Sequence, residues 1–466
     1  MSTEDVSKLR ELSGFLFLLF TLEYVVGKLR NRSTVRMNDC LHSLSAALIS
    51  ALPRFLVTSL DTTVYSLVYR AIYQTTTPDN PSSFRQWIMI FLAADFGYYW
   101  FHRAAHEINI LWAAHQVHHS SEDINIAVSV RQSVVQQFFT WIFYLPLALI
   151  GIAPSILKTH LWFSCLYQIW THTEVVGNLG PLEYVFVTPV HHRVHHGRNP
   201  YCIDKNYGGI LIIWDRLFGT FVEEQGNEPP VYGLVVERVN HWNPIWTQIS
   251  HYCYLVRTFW TIPGISNKFF VLFNGPSWSP GQSRLGDETK YEEIEYPVTK
   301  YDKTLPRLTK FYVLGHFLLV LFVYYKHLEI SQSCSVYQTI AVVTYLLFAL
   351  TTFGALFDHK WYGPTLEAVR CIVYIILDSS KKTYYLQQNH GSPKVKYEPT
   401  SGFMHSIFII SFAMWFFVET MKINWTGTDG TPEENKKYSR DERFGNLDAN
   451  KNILSNADII YLQCSK

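Results

Sequence analysis

The stretch His102-Arg103-Ala104-Ala105-His106 is an HxxxH pair, and His115-Gln116-Val117-His118-His119, shortly after it, is an HxxHH cluster. The same spacing returns as His192-Arg193-Val194-His195-His196. On a helix, residues i and i+4 share one face and i+3 lies beside them, so each cluster is expected to aim its imidazoles at a single point. Eight imidazoles exceed the roughly four ligands that one zinc takes. They point instead to two metals with mostly nitrogen ligands. Imidazole suits iron, zinc and copper alike, so ligand type leaves the metal open. Soluble di-iron bundles carry Glu-x-x-His motifs, and this chain has none. A lone histidine is usually a satisfied core or surface residue. Two HxxHH clusters this close behind an HxxxH pair are not explained that way.

Weaker candidates surround the clusters. His172 could supply a ninth ligand or stand behind one, and Gln168 lies one turn before it. His191 adjoins the last cluster but falls outside its spacing, and His160 lies in an apolar run where a hydrogen-bonded helix residue is the ordinary reading. The carboxylates of Glu107, Glu174 and Asp204 could each orient a ligand histidine through its free N–H, or pair with a lysine or arginine. Asp95 sits in an apolar run and is equally readable as a structural partner.

Outward from the histidines, apolar and polar stretches alternate. Of 466 residues, 48% are hydrophobic and 16% aromatic, which excludes disorder for most of the chain. Lys+Arg 39 against Asp+Glu 38 leaves no basic surface for nucleic acid. The cysteines, 7 in number with no CxxC pair, read as reduced thiols. Apolar runs at 12–27, 41–60 and 87–101 approach the ~20 residues that cross a bilayer. Lys28, Arg30, Arg32 and Arg36 follow the first run and put it down as a signal anchor with residues 28–36 in the cytosol. Three crossings then leave the residues after Phe101 in the cytosol. Runs 134–153 and 156–170, joined at Pro154-Ser155, predict a helical hairpin. It would return the chain to the same side and let the third cluster join the second. Further runs lie at 311–325, 335–357, 366–377 (with Arg370) and 402–418, while 74–83 and the tail after Met421 are polar.

The expected fold is an all-α, polytopic integral membrane protein of eight to nine apolar helices with a cytosol-facing, histidine-rich dimetal site. Its divisions are N-terminal membrane helices (1–80), a histidine-bearing core (81–220), a polar segment completing the core (221–306), C-terminal membrane helices (307–420) and a tail (421–466).

Beyond the histidines, Phe96-Gly97-Tyr98-Tyr99-Trp100-Phe101 and the run from Trp112 to Asp123 resemble the fatty acid hydroxylase superfamily of membrane oxygenases. With residues 171–174, 178–183, 191–207 and the loop 275–286, they narrow the resemblance to the alkylglycerol monooxygenase family over about residues 85–290. The resemblance implies O-alkyl cleavage of glyceryl ethers, with O2 as oxidant, a di-iron centre and tetrahydrobiopterin as electron donor. Its partners would be the ether lipid and the bilayer, and its location the endoplasmic reticulum membrane. His102, His106, His115, His118, His119, His192, His195 and His196 match the family's motif positions and carry over as catalytic metal ligands, and His172 as a further ligand. No motif marks the pterin site; Glu107, next to a ligand and able to pair with a pteridine's amidine edge, is the expected contact. Two rivals stand beside this reading: a sterol or fatty-acyl hydroxylase or desaturase fed by cytochrome b5, and a histidine-rich metal transporter.

Overall fold

The computed structural model describes residues 3–31, 35–56, 60–74, 83–235, 240–287, 291, 294–388 and 400–426. The polar loop at 74–83 and the tail after Met421 lie for the most part outside the described residues. Among those described, every regular element is helical, and the only extended pairings are isolated bridges between Phe186 and Leu211 and between Gly197 and Tyr232. The all-α expectation holds. The chain divides into two compact units, Met1–Asn240 with Trp246–Tyr301, and His241–Ile245 with Asp302–Lys466.

The first unit opens with α1 (Thr3–Leu29), α2 (Met37–Ala51) and α3 (Leu60–Tyr73). The apolar window of α1 is little buried, as suits a helix facing lipid. Its anchor to the core is Glu23, whose carboxylate accepts the Ile126 N–H at 2.9 Å and the Thr173 hydroxyl at 2.5 Å. α4 (Phe84–Glu107) ends on the HxxxH pair. Ile108 is extended (φ −124°), so the chain turns at once into α5 (Asn109–His119), which carries the second cluster.

The expected hairpin exists, but its first arm is not one helix. It breaks into α6 (Gln137–Thr140), a 3-10 turn at Trp141–Tyr144 and α7 (Leu145–Leu149), ending at Gly151 with φ +89°. That dihedral is costly for any residue with a Cβ. α8 (Pro154–Thr171) is continuous, with its proline in the first turn, where no N–H is needed. Beneath the hairpin Tyr65, Tyr69, Tyr144, Leu147, Ile156 and Leu157 form one core cluster. α9 (Pro189–His196) carries the third histidine cluster, followed by α10 (Ile213–Phe218), α11 (Pro244–Thr261) and α12 (Ile265–Phe273).

The second unit holds α13 (Arg307–Ile330), α14 (Val336–Phe357), α15 (Gly363–Gln388) and α16 (Thr400–Thr420), with α15 packed on both α14 and α16. At its centre lie Glu367 and Arg370, both wholly buried. The Arg370 guanidinium donates to Glu367 at 2.7 and 2.5 Å, to the Tyr345 hydroxyl at 3.1 Å and to His316 Nδ1 at 2.7 Å. Tyr312 donates to Glu367 at 2.5 Å, and His316 Nε2 donates to Ser411 at 2.9 Å. One buried ion pair thus ties all four helices.

Among the described residues, four helices are long and apolar enough to cross a membrane: Glu11–Leu29, Arg307–Ser333, Val336–Phe357 and Gly402–Thr420. The chain is a multi-pass membrane protein, with fewer such helices than the eight to nine expected. The reasons are local. Run 41–60 is cut where α2 gives way to a 3-10 turn at Leu52–Phe55 containing Pro53. Run 87–101 is only part of α4, and run 366–377 carries the Glu367–Arg370 pair within α15.

Candidate metal centre

α4, α5 and α9 bring their histidines to one place, and the end of α8 adds His172. All nine imidazoles are buried. They sort into two groups, each offering ligand atoms within 4.8 Å of one another: His102, His106, His115, His119 and His195 in the first; His118, His172, His192 and His196 in the second. The expectation that each HxxHH cluster aims at one point is therefore corrected. α5 gives its i and i+4 histidines (His115, His119) to the first group and its i+3 histidine (His118) to the second. α9 does the reverse, with His192 and His196 in the second group and His195 in the first. On a 3.6-residue helix, positions i+3 and i+4 point about 100° apart, so one cluster can serve two centres. The groups adjoin, with the His119 and His196 rings stacked at 4.3 Å.

The direction of the rings is set from behind. His102 Nδ1 donates to the Tyr207 carbonyl at 2.8 Å, His115 Nδ1 to Gln136 Oε1 at 2.9 Å and His118 Nδ1 to the Arg131 carbonyl at 3.2 Å. His172 Nδ1 donates to the Gln168 carbonyl at 2.8 Å, and His195 Nδ1 to the Lys205 carbonyl at 3.0 Å. These acceptors have no hydrogen to give, so each Nδ1 carries the proton and each Nε2 presents a lone pair. Yet His102 Nε2 lies 3.1 Å from His115 Nε2, and His118 Nε2 lies 3.1 Å from His172 Nε2. Two lone pairs cannot hydrogen-bond to each other. Such an approach calls for a cation between the nitrogens. An imidazolium is disfavoured, because burial pushes these groups down from 6.5, His115 and His172 to about 4. His106 Nε2 and His195 Nε2, also buried, find no partner within the protein. The donor set fits two metal ions held by neutral imidazoles.

The surrounding shell explains how the chain holds this arrangement. Asp95 accepts the backbone N–H groups of Ile210 and Leu211 at 3.0 and 3.1 Å and the Trp214 indole N–H at 2.9 Å. Asp215, its carboxyl pushed up to about 6 by burial, accepts from Tyr207 N–H at 2.7 Å, Gly208 N–H at 2.8 Å and the Thr220 hydroxyl at 2.7 Å. Together they press the loop after α9 against α4, so that the Tyr207 carbonyl meets His102. The approach leaves no room at Gly208, where a Cβ would lie 2.6 Å from the Leu211 carbonyl oxygen. Behind α5, the wholly buried Arg131 donates from Nε to the Val117 carbonyl at 3.2 Å and to the Ser120 hydroxyl at 3.0 Å, and pairs with Asp39 at 3.2 Å.

The remaining candidates separate. Asp204 lies 3.6 Å from His106 Nδ1, beyond hydrogen-bonding reach. Glu107 does not stand behind a ligand; its carboxylate pairs with Arg103 at 2.8 Å and with Arg284. Glu174 accepts from the Tyr232 hydroxyl at 3.2 Å. His191 accepts the Thr188 N–H at 3.4 Å at the start of α9 and lies outside both groups. His160 packs against Trp87, ring centroids 5.1 Å apart. Sequence reasoning missed Arg131, just before the apolar run 134–153, and Gln136, near its start, and that polar interruption was the available signal.

Residues 87–220 match the fatty acid hydroxylase family, and residues 309–398 match the C-terminal domain of alkylglycerol monooxygenase. The chain is 42% identical to the alkylglycerol monooxygenase of Xenopus tropicalis, over 81% of its own length and 83% of the relative's. It is 43% identical to that of Homo sapiens (79% and 82%) and 35% identical to that of Caenorhabditis elegans (80% and 77%). No solved structure matches it. The likeness thus runs well beyond the histidine-bearing core into α13–α15, and the chain belongs to the alkylglycerol monooxygenase family.

Proposed function

We propose that this chain is a di-iron monooxygenase of the endoplasmic reticulum membrane, its metal centre facing the cytosol. It would use O2 and tetrahydrobiopterin to cleave the O-alkyl bond of alkylglycerols and lyso-alkylglycerophospholipids. The observation that carries the reading is the facing of Nε2 lone pairs whose Nδ1 hydrogens are already committed. The substrate class rests on the name that the relatives share. When bound, iron would supply the O2 activation that an unactivated C–H bond demands, which redox-inert zinc would not.

His102, His106, His115, His119 and His195 would hold one ion, and His118, His172, His192 and His196 the other. The protein's part is to keep nine imidazoles neutral by burial and to fix the tautomers of His102, His115, His118, His172 and His195 through the acceptors behind them. In the overall reaction one atom of O2 enters the C–H bond next to the ether oxygen. The other leaves as water with two electrons and two protons from the pterin. The resulting hemiacetal then collapses to a fatty aldehyde and a glycerol derivative. Glu107 is the proposed contact for the pterin's amidine edge. The Arg284 side chain beside it is 50% exposed, so a ligand could take its place while Arg103 stays.

The metal-transporter rival does not fit relatives that are monooxygenases by name over four-fifths of the chain. The b5-fed rival differs in its donor, so the test is fatty aldehyde release from a 1-O-alkylglycerol by membranes containing the protein, with and without tetrahydrobiopterin. Aldehyde should appear only with the pterin and vanish in His118→Ala, which should remain membrane-inserted. Full activity in His118→Ala, or turnover independent of the pterin, would overturn the reading.

A further inference from the structure

Backbone strain in the loop between α9 and α10 is concentrated beside one tyrosine. Asp204 (φ +58°) and Asn206 (φ +55°) are both left-handed, a conformation that costs any residue with a Cβ and that clusters at functional sites. Asn206 is fastened in it. Its amide donates to the His191 and Val222 carbonyls at 3.2 and 2.8 Å, and its Oδ1 accepts the Val222 N–H at 2.9 Å. Tyr207 follows, with its own N–H fixed on Asp215 and its carbonyl on His102.

The side chain placed by this loop is wholly buried. Its ring packs against His106, His102 and His195 with centroids 5.3, 5.9 and 6.1 Å away, three of the five imidazoles of the first group. A buried phenol normally finds a hydrogen-bond partner. The Tyr207 hydroxyl finds none among the described residues, and neither do His106 Nε2 and His195 Nε2, on two of the rings it packs against. Tyr99 is the contrast. Its ring touches that of Tyr207 at 6.2 Å, and its hydroxyl is paired with Thr220 at 3.1 Å and Arg103 at 3.2 Å. The neighbouring carboxylates are engaged elsewhere, Glu107 by Arg103 and Arg284, and Asp215 by Thr220 and two backbone N–H groups.

An unpaired buried hydroxyl costs stability relative to a phenylalanine of the same shape. A partner that arrives from outside offsets that cost. The two unpaired imidazole nitrogens are lone pairs suited to a metal ion, whereas the phenol O–H is a proton donor and suits an acceptor bound at the same place. A donor so deeply enclosed suits a diatomic molecule rather than a lipid headgroup or a pteridine.

We propose, on the iron-oxygenase reading above, that Tyr207 is a catalytic residue whose O–H donates a hydrogen bond to dioxygen at the five-histidine group. Among the described residues no tyrosine ring packs on the second group, whose ring neighbours are other ligand imidazoles. The two ions are therefore unequal, and the first is the one at which O2 is received.

The test uses azide, a small anion that binds ferric iron, as the probe. In the oxidised, iron-loaded, solubilised protein, Tyr207→Phe should weaken azide at one ion about tenfold, the scale of one hydrogen bond to a charged acceptor. Iron content should not change by elemental analysis. Azide affinity unmoved at both ions would overturn the proposal. The unfolding midpoint of metal-free Tyr207→Phe should be no lower than that of the parent protein, and a lower one would reveal a structural hydrogen bond and overturn it. Tyr99→Phe, which loses a paired hydroxyl, should lower the midpoint and leave azide affinity intact; equal weakening of azide there would trace the effect to packing and overturn the proposal. In turnover, Tyr207→Phe should lower kcat with KM for the alkylglycerol unchanged. A raised KM with azide unmoved would give the hydroxyl to the ether oxygen instead, against the proposal. If no substrate yields aldehyde but azide weakens as stated, the ether-cleavage reading fails and the donor stands.

Discussion

Among the acceptors that fix the ligand imidazoles, Gln136 is a side chain where the others at 3.2 Å or less are backbone carbonyls, so it can be removed by mutation. Its Oε1 accepts from His115 Nδ1 at 2.9 Å, and its amide donates to Gln132 at 3.0 Å. Gln136→Leu keeps much of the volume and removes the acceptor, leaving His115 free to rotate or change tautomer. Loss of such a partner typically weakens metal binding by about 10–100-fold, or ~1.4–2.7 kcal/mol. His115 belongs to the five-histidine group, so the loss should fall on one ion of two. The assay is an anaerobic titration of solubilised, metal-free protein with Fe(II) against a competing chelator, resolving two binding steps. One step should weaken within that range while the other holds, and Gln136→Glu, which keeps an acceptor, should restore it. Two steps weakened equally, or neither, would refute the assignment of His115 to a separate centre.

Other substitutions probe the shell and the excluded candidates. His191→Ala should retain both metal ions by elemental analysis and lose only about 1 kcal/mol of stability, because His191 serves the start of α9. Arg131→Met strands the buried Asp39 carboxylate and should destabilise the solubilised protein by about 3–5 kcal/mol. Adding Asp39→Asn should recover part of that loss in thermal unfolding. Chelation should lower the unfolding midpoint, since an ion at a hundredfold excess over its Kd adds ~2.7 kcal/mol; an unchanged midpoint would argue against binding to the folded state.

Much of the centre was legible from spacing alone. Three histidine clusters, an apolar hairpin between the second and third, and the helical class all follow from periodicities that need no tertiary context. The partition of each HxxHH cluster did not, because whether His118 and His119 converge or diverge depends on which helices face them. Here α8 supplies His172 on one side of α5 and α4 supplies His106 on the other. The carbonyls of Tyr207, Arg131 and Lys205 were invisible for another reason: a backbone acceptor leaves no mark on residue identity. Glu107 was open to several readings, and only the return of the chain adds Arg284 to its local pair with Arg103. The apolar runs misled where a proline or an internal ion pair interrupted them, since hydropathy averages over the residue that decides.

The Glu367–Arg370 pair has a consequence for how the C-terminal helices find one another. In hydrocarbon, apolar side chains pack almost equally well in many rotations, because lipid competes for the same contacts. The four-helix tie through Tyr312, His316, Tyr345 and Ser411 removes that degeneracy. A turn of α15 by one residue would carry a guanidinium into lipid or strand a carboxylate, an error far larger than any loss of packing. The pair works as a key cut for one lock, rejecting the neighbouring arrangements more than it strengthens the right one.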